Sequence, residues 1–159
     1  MLTVRRATAD DCRRYWEWAN DPAVRHASFS QGAIPWAAHV EWFERQLQST
    51  STLFVVEDDA KRPIGQLRFD EHPSGDREVS VSLSADVRGH GLASEAIAVA
   101  CHAFRQTQTA GNIVAHVRPD NAASLSAFQR AGFERRGHAL IKGCDAVRLE
   151  LAAGASLTR

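Results

Sequence analysis

Apolar positions recur along the chain with two different periods, and the changes between them mark out the elements. Leu2–Arg6 alternates and reads as a strand. Cys12, Tyr15, Trp16 and Ala19 then follow at i, i+3, i+4 and i+7, which predicts a helix opened by a capping box between Thr8 and Asp11. Asn20-Asp21-Pro22 ends that helix, because the residue before a proline is pushed out of the helical region. A polar loop containing Ser28, Phe29, Ser30 and Gly32 leads to Pro35, a good first-turn residue for a second helix. Trp36, Val40, Phe43 and Leu47 are its expected buried stripe, with His39 and Trp42 on another face.

The period then shortens to two. Leu53–Val56, Ile64–Phe69 and Glu78–Leu83 read as strands separated by turn signals at Asp58-Asp59 with Pro63 and at Pro73-Ser74-Gly75-Asp76. In the last of them Val79, Val81 and Leu83 alternate with Ser80, Ser82 and Ser84, giving one apolar and one small polar face. A glycine-rich turn over Arg88–Gly91 launches a long helix to about Thr107. Asn112–Val117 is a strand and Asn121–Arg130 a helix, with Gly132 suited to a left-handed stop. Phe133–Ala139 and Ala146–Leu151 close as strands. The order β-α-α-β-β-β-α-β-α-β-β implies an α+β fold, a single-domain mixed sheet flanked by helices. The expected domain covers 1–153, followed by a short tail over 154–159.

Composition narrows the function classes. The 159 residues are 44% hydrophobic and 24% charged, ordinary values for a globular domain. Nineteen Lys and Arg balance nineteen Asp and Glu, so no basic field draws the chain to nucleic acid or anionic lipid. The longest apolar stretch, Leu92 to Phe104, is interrupted by Ser94, Glu95 and His102 and is too short to span a bilayer. No signal peptide pattern follows Arg5 and Arg6. Cys12, Cys101 and Cys144 are odd in number and lack a CxxC pair, which suits reduced thiols in the cytoplasm and no metal cluster.

Two segments carry chemistry. In Arg88-Gly89-His90-Gly91-Leu92-Ala93, two glycines sit between a strand and a helix start, where unpaired amides and the positive end of the helix dipole favour an anion. The segment lacks the Gly-Lys-[Ser/Thr] of a P-loop and the GxGxxG of a dinucleotide fold. The second segment runs from Asn121 through Ser124 and Phe128 to Gly132-Phe133, directly after Val117-Arg118-Pro119-Asp120. Read alone, it is a capped helix with a core face.

Together, Arg-x-x-Gly-x-Ala after a strand and Asn-x-x-Ser-x-x-x-Phe-x-x-x-Gly-Phe on the next β-α unit resemble the GCN5-related N-acetyltransferase family. The resemblance covers nearly the whole chain. It implies an acetyl-CoA enzyme with a V-shaped opening between the fourth and fifth strands. Pyrophosphate would rest on the amides of Arg88, Gly89, His90, Gly91, Leu92 and Ala93, and pantetheine would pair with the strand edge near Val81 and Leu83. Asn121, Ser124 and Phe128 would border the cofactor arm. Many family members carry tyrosine where this chain has Phe128, and phenylalanine cannot protonate a leaving sulfur. The only tyrosine, Tyr15, is expected in the core, so water or the hydroxyl of Ser124 or Ser126 serves instead.

Acetyl transfer needs a neutral amine, whereas a lysine-like amine has a pKa of about 10.4. Glu78, on the serine face of the strand leading to the glycine turn, is the expected base; the alternative is a solvated glutamate facing Arg77 or Arg68. Backbone amides at the splayed strand are the expected oxyanion donors. The acceptor pocket should come from the N-terminal half. There Trp18, Asn20, Arg25, His39 and Trp42 resemble the branch that acetylates a 4-amino group on a UDP-linked deoxysugar toward pseudaminic acid, and more loosely the ribosomal-protein N-terminal acetyltransferases. Aromatic faces such as Trp18 and Trp42 can stack on a sugar or uracil, and Arg25 or Arg68 can meet a diphosphate. Two alternatives stay open. Protein N-terminal acetylation would use an acidic groove offered by Asp70, Glu71 and Asp76. A non-catalytic acetyl-CoA-binding module would fit Phe128. A homodimer through exposed tryptophans or Val147–Leu151 is also compatible with the sequence.

Overall fold

The alternating segments fold as seven strands, β1 (Thr3–Arg6), β2 (Thr52–Glu57), β3 (Pro63–Glu71), β4 (Arg77–Leu83), β5 (Ile113–Val117), β6 (Glu134–Ile141) and β7 (Cys144–Leu151). They form one sheet in the order β1-β2-β3-β4-β5-β7-β6, antiparallel except where β4 meets β5. The α-helices are α1 (Cys12–Ala19), α2 (Pro22–Ala27), α3 (Trp36–Leu47), α4 (Leu92–Thr107) and α5 (Ala122–Arg130). The computed structural model describes residues 1–108 and 111–154. Residues 155–159 of the expected tail lie outside the described residues. Among the described residues no helix is long and apolar enough to cross a membrane.

Successive residues of β2 point to opposite faces of the sheet and find different partners. Phe54 and Val56 join a core with Ile97, Cys101 and Phe104 of α4, where Phe69 and Phe104 stack at 4.3 Å. Leu53 and Val55 face the other way, against Tyr15 of α1 and Phe43 of α3. Each such side chain removed from water contributes about 2 kcal/mol, which fixes α4 with α5 on one face and α1 with α3 on the other.

Three expectations are corrected. Pro22 does end α1, but it also starts α2, because Asp21 caps the new helix by accepting from the amides of Ala23 (3.0 Å) and Val24 (3.4 Å). Helix α3 is rotated from the expected stripe: His39 and Phe43 are buried, whereas Trp36 and Leu47 are exposed. Val147, Leu149 and Leu151 are buried in the core, so the apolar side chains of β7 are not available to a dimer.

The feature that positions the site is the parallel pair. β4 and β5 are in register at only two places, Arg77 with Ile113 and Glu78 with Val114. Their starts are tied together, since Arg77 N–H donates to the Asn112 carbonyl at 3.0 Å and Asn112 N–H to Asp76 Oδ1 at 3.2 Å. Beyond Glu78 the strands diverge, and each leads into a helix, β4 into α4 and β5 into α5.

Candidate active site at the β4–β5 fork

The fork leaves one edge of β4 unpaired. Ser84 N–H donates to the Ile64 carbonyl at 2.8 Å, so residues of its parity bond to β3. By alternation Val81 and Leu83 turn their N–H and C=O groups toward the gap. The Leu83 carbonyl, however, is already taken: Arg88 donates to it through Nε at 3.1 Å and Nη2 at 2.8 Å. The remaining arm of the guanidinium meets Asp21 at 3.0 Å. The Arg88 charge is thus answered by Asp21, and the same pair ties the glycine turn to the start of α2.

Gly89 and Gly91 both adopt left-handed φ values, 80° and 72°, with open space where a Cβ would lie. Their requirement is conformational, since a side chain there costs about 1–2 kcal/mol in strain. The turn delivers the exposed residues 89–91 to the start of α4, where the amides of Leu92, Ala93 and Ser94 have no partner four residues back. At the start of α5, Asn121 caps its own helix, accepting from Ser124 N–H at 3.2 Å. Ser124 is half-buried. Phe128 is 3% exposed and packs edge-on against Phe133 at 5.1 Å, so it belongs to the core behind the gap and does not line it. An open strand edge continuing into a cradle of free amides is a donor set that fits an elongated diphosphate thioester.

Glu78 stands where the strands part. One carboxylate oxygen accepts from His72 Nε2 at 2.9 Å, and the other lies 3.2 Å from Nδ1 of His116, close enough for charge attraction but off the line of a hydrogen bond. The His116 contact, opposed by burial and supported by His72, holds the Glu78 carboxyl below its ordinary range. Glu78 is therefore a carboxylate at neutral pH. Arg77 points instead to the Gly75 carbonyl and Glu71, and Arg68 to Asp70, so neither partners Glu78.

The residues expected at the acceptor divide into two groups. Trp42 and Arg68 come together, the guanidinium 5.1 Å from the indole centre and held by Asp70 at 2.9 Å, while Trp18 packs half-buried beside Tyr15. Arg68 shares the β3–β4 register with Ser80 and lies on the face of Glu78. Asn20, Arg25 and His39 are committed elsewhere. Asn20 accepts from Ile34 N–H at 2.7 Å and donates back to its carbonyl at 2.9 Å. Arg25 donates to the carbonyls of Ala19, Ser30 and Gly32 and to the Ser28 hydroxyl. His39 is 2% exposed, with Nε2 donating to the Cys12 carbonyl at 2.8 Å, and burial lowers its pKa. These three hold the loop between α1 and α3 in shape. Lys142, at the β6–β7 turn, meets Ser30 of that loop at 2.7 Å, a contact no motif announced. Tyr15 is fully buried, its hydroxyl donating to the Phe54 carbonyl at 2.6 Å, and burial raises its pKa.

Comparison with known proteins agrees with this geometry. Residues 1–134 match a family described as Acetyltransferase (GNAT) domain. No curated protein sequence matches significantly. Among solved structures, the aminoglycoside acetyltransferase AAC(6')-Ib in complex with coenzyme A superposes with a TM-score of 0.83 at 19% identity, covering 96% of this chain and 95% of that one. Spermidine N-acetyltransferase from Vibrio cholerae, with CoA and spermine, gives 0.84 at 21%, covering 96% and 95%. Ribosomal-protein-alanine N-acetyltransferase from Brucella melitensis gives 0.79 at 20%, covering 94% and 98%.

Proposed function

This chain belongs to the GCN5-related N-acetyltransferase family and moves an acetyl group from acetyl-CoA to an amine, and we propose that the amine is a small one, first among candidates the 4-amino group of a UDP-linked amino sugar. The observation that carries the proposal is the fork itself, which sets an open strand edge and a carboxylate side by side. Acetyl-CoA supplies the activated acyl group. Val81 and Leu83 would pair with its arm, the amides of residues 88–93 would receive its phosphates, and Asn121 and Ser124 would flank it from α5. The Glu78 carboxylate is the group at the fork that we assign to the step in which the amine loses its proton. Trp18 and Trp42 would offer flat faces to a sugar or base, with Arg68, held by Asp70, beside the Trp42 indole.

The acids that would favour a peptide acceptor are paired: Asp70 with Arg68 and Ser51, Glu71 with Arg77, Asp76 with Arg148. Thiol release measured across amino-sugar nucleotides, polyamines and ribosomal N-terminal peptides tests the reading. Release with an amino-sugar nucleotide supports it; release with peptides alone overturns the acceptor, and binding without release for every acceptor overturns catalysis. Glu78→Gln should lower turnover with acetyl-CoA affinity kept, and an unchanged rate across pH removes Glu78 from its role.

A further inference from the structure

His116 is the polar exception in the buried strand β5. Its side chain is 9% exposed, and Nδ1 is sealed from solvent with no hydrogen-bond partner, although Oε2 of Glu78 lies 3.2 Å away. A carboxylate can only accept, so the ring hydrogen facing it belongs on Nδ1 and the lone pair on Nε2. His116 lies two residues beyond Val114, the register partner of Glu78, and so shares the face of the sheet that carries Ser80, Ser82 and Arg68. The other oxygen of Glu78 is held by His72, from the β3–β4 turn.

We propose that His116 is the group that takes the proton from the acceptor amine, through Nε2, with Glu78 orienting the ring and stabilising its charge and with His72 as a positioning residue for Glu78. In this step the amine N–H bond breaks and a bond from hydrogen to Nε2 forms. The electron pair stays on the amine nitrogen, and the imidazolium beside the Glu78 carboxylate later releases the proton to water. The proposal rests on acetyl transfer at the fork and specifies how Glu78 takes part in it. Contacts of this kind are commonly long in unliganded sites and tighten when substrate seats.

The other charged groups around the pair are already answered. On β3, Asp70 faces Glu78 in register but binds Arg68 and Ser51. On β7, Arg148 is the register partner of His116 and binds Glu150 and Asp76. On α1, Arg13 pairs with Glu17 and Arg14 with Asp11. Glu78 is thus the carboxylate left to balance a charged His116.

The test compares wild type, His116→Ala, His116→Asn, Glu78→Gln and His72→Asn, using the best amine of the wild type, over pH. Thermal melting and acetyl-CoA affinity verify that each variant is folded, and His116→Asn serves where His116→Ala does not fold. Expected are a loss of at least about 100-fold in kcat/KM for His116→Ala, partial rescue by added imidazole, and disappearance of the acid limb of the profile. Glu78→Gln in the His116→Ala background should add little, since the two act as a unit. His72→Asn should shift the profile with a loss below about tenfold. Activity within about threefold of wild type in a folded His116 variant, or a loss that imidazole does not restore with the profile unchanged, overturns the proposal alone. A wild type that releases no thiol with any of the amines overturns the acetyl-transfer reading as well.

Discussion

Replacing Tyr15 with phenylalanine separates structure from chemistry in a chain whose single tyrosine could be mistaken for an acid. The substitution removes a hydroxyl that donates to the Phe54 carbonyl at 2.6 Å in a site with no solvent exposure. The ring remains, with its edge contact to Phe43 at 5.1 Å and its tilted contact to Trp18 at 6.2 Å. Only the hydrogen bond is lost, so the cost is about 1.5 kcal/mol, within the range for a buried bond whose acceptor keeps a second lone pair. For a domain of this size that lowers Tm by about 3–6 °C. The hydroxyl is sealed against β2, which β3 separates from the fork strand β4, so kcat and acetyl-CoA affinity should be unchanged. Urea or thermal unfolding and thiol-release kinetics on the same preparation check both halves. A folded variant that binds acetyl-CoA normally but has lost turnover would show that Tyr15 donates to the leaving sulfur, and unchanged stability would show that the Phe54 bond contributes nothing.

Further outcomes follow from other sites. Asp11 is 1% exposed; burial pushes its pKa up, but Arg5, the Thr8 amide and Arg14 outweigh this and bring it to about 2 from the ordinary 3.8. Its contribution of about 2 kcal/mol is therefore complete above about pH 4 and is lost as pH falls from there toward 2, while in Asp11→Asn the unfolding free energy should be lower near neutrality and less steep in acid. Gly91→Ala forces a side chain into φ 72° at the start of α4 and should weaken acetyl-CoA binding, read by calorimetry, with about 1 kcal/mol of added strain. At Gly65 a Cβ would come within 2.6 Å of the Ser82 carbonyl oxygen and of the Leu83 side chain, so Gly65→Ala must move the end of β4; a Tm fall of several degrees and a raised KM for acetyl-CoA are expected, and neither change would mean that β4 is free to shift.

Strands β2 to β5 and β7 and the two helices after the fork were legible because each buries apolar side chains in a recognisable run and ends near a turn residue, whereas β6 is almost wholly exposed. Where the reading failed, one residue had two local meanings or a polar group was buried. Asp21-Pro22 reads as a stop, yet the same pair is a cap and first turn, and only the packing of α2 decides between them. His39 looks polar by composition and is buried because the Cys12 carbonyl satisfies it, which turns α3 away from its apparent stripe. Asn20 and Arg25 have the chemistry of a binding site, but their partners are carbonyls and an amide of a loop whose path no pattern encodes. His72 and His116 escaped for the opposite reason: they come from the β3–β4 turn and from β5, and meet at Glu78 only through the register of β3, β4 and β5. A histidine in the otherwise apolar run Ile113–Val117 was the one signal available.

The position of the site follows from topology more firmly than from any side chain. The five antiparallel pairs leave no gap, and the single parallel pair is where chain direction repeats, so both strands send their following helices toward the same end of the sheet. Two helix starts, each with free amides and a positive dipole end, therefore face one opening without further design. Hydrogen bonds at Arg77 and Asn112 close the pair at its base, and Arg88 closes the far end of β4 onto Asp21. What remains open between them is a strip of about three to five residues of strand, roughly 10–17 Å at the usual rise per residue, which is too short for a seventh ladder and long enough for an extended thioester arm. Substitutions that restore pairing across this strip should raise Tm and abolish acetyl-CoA binding in calorimetry, whereas binding that survives restored pairing would place the cofactor elsewhere.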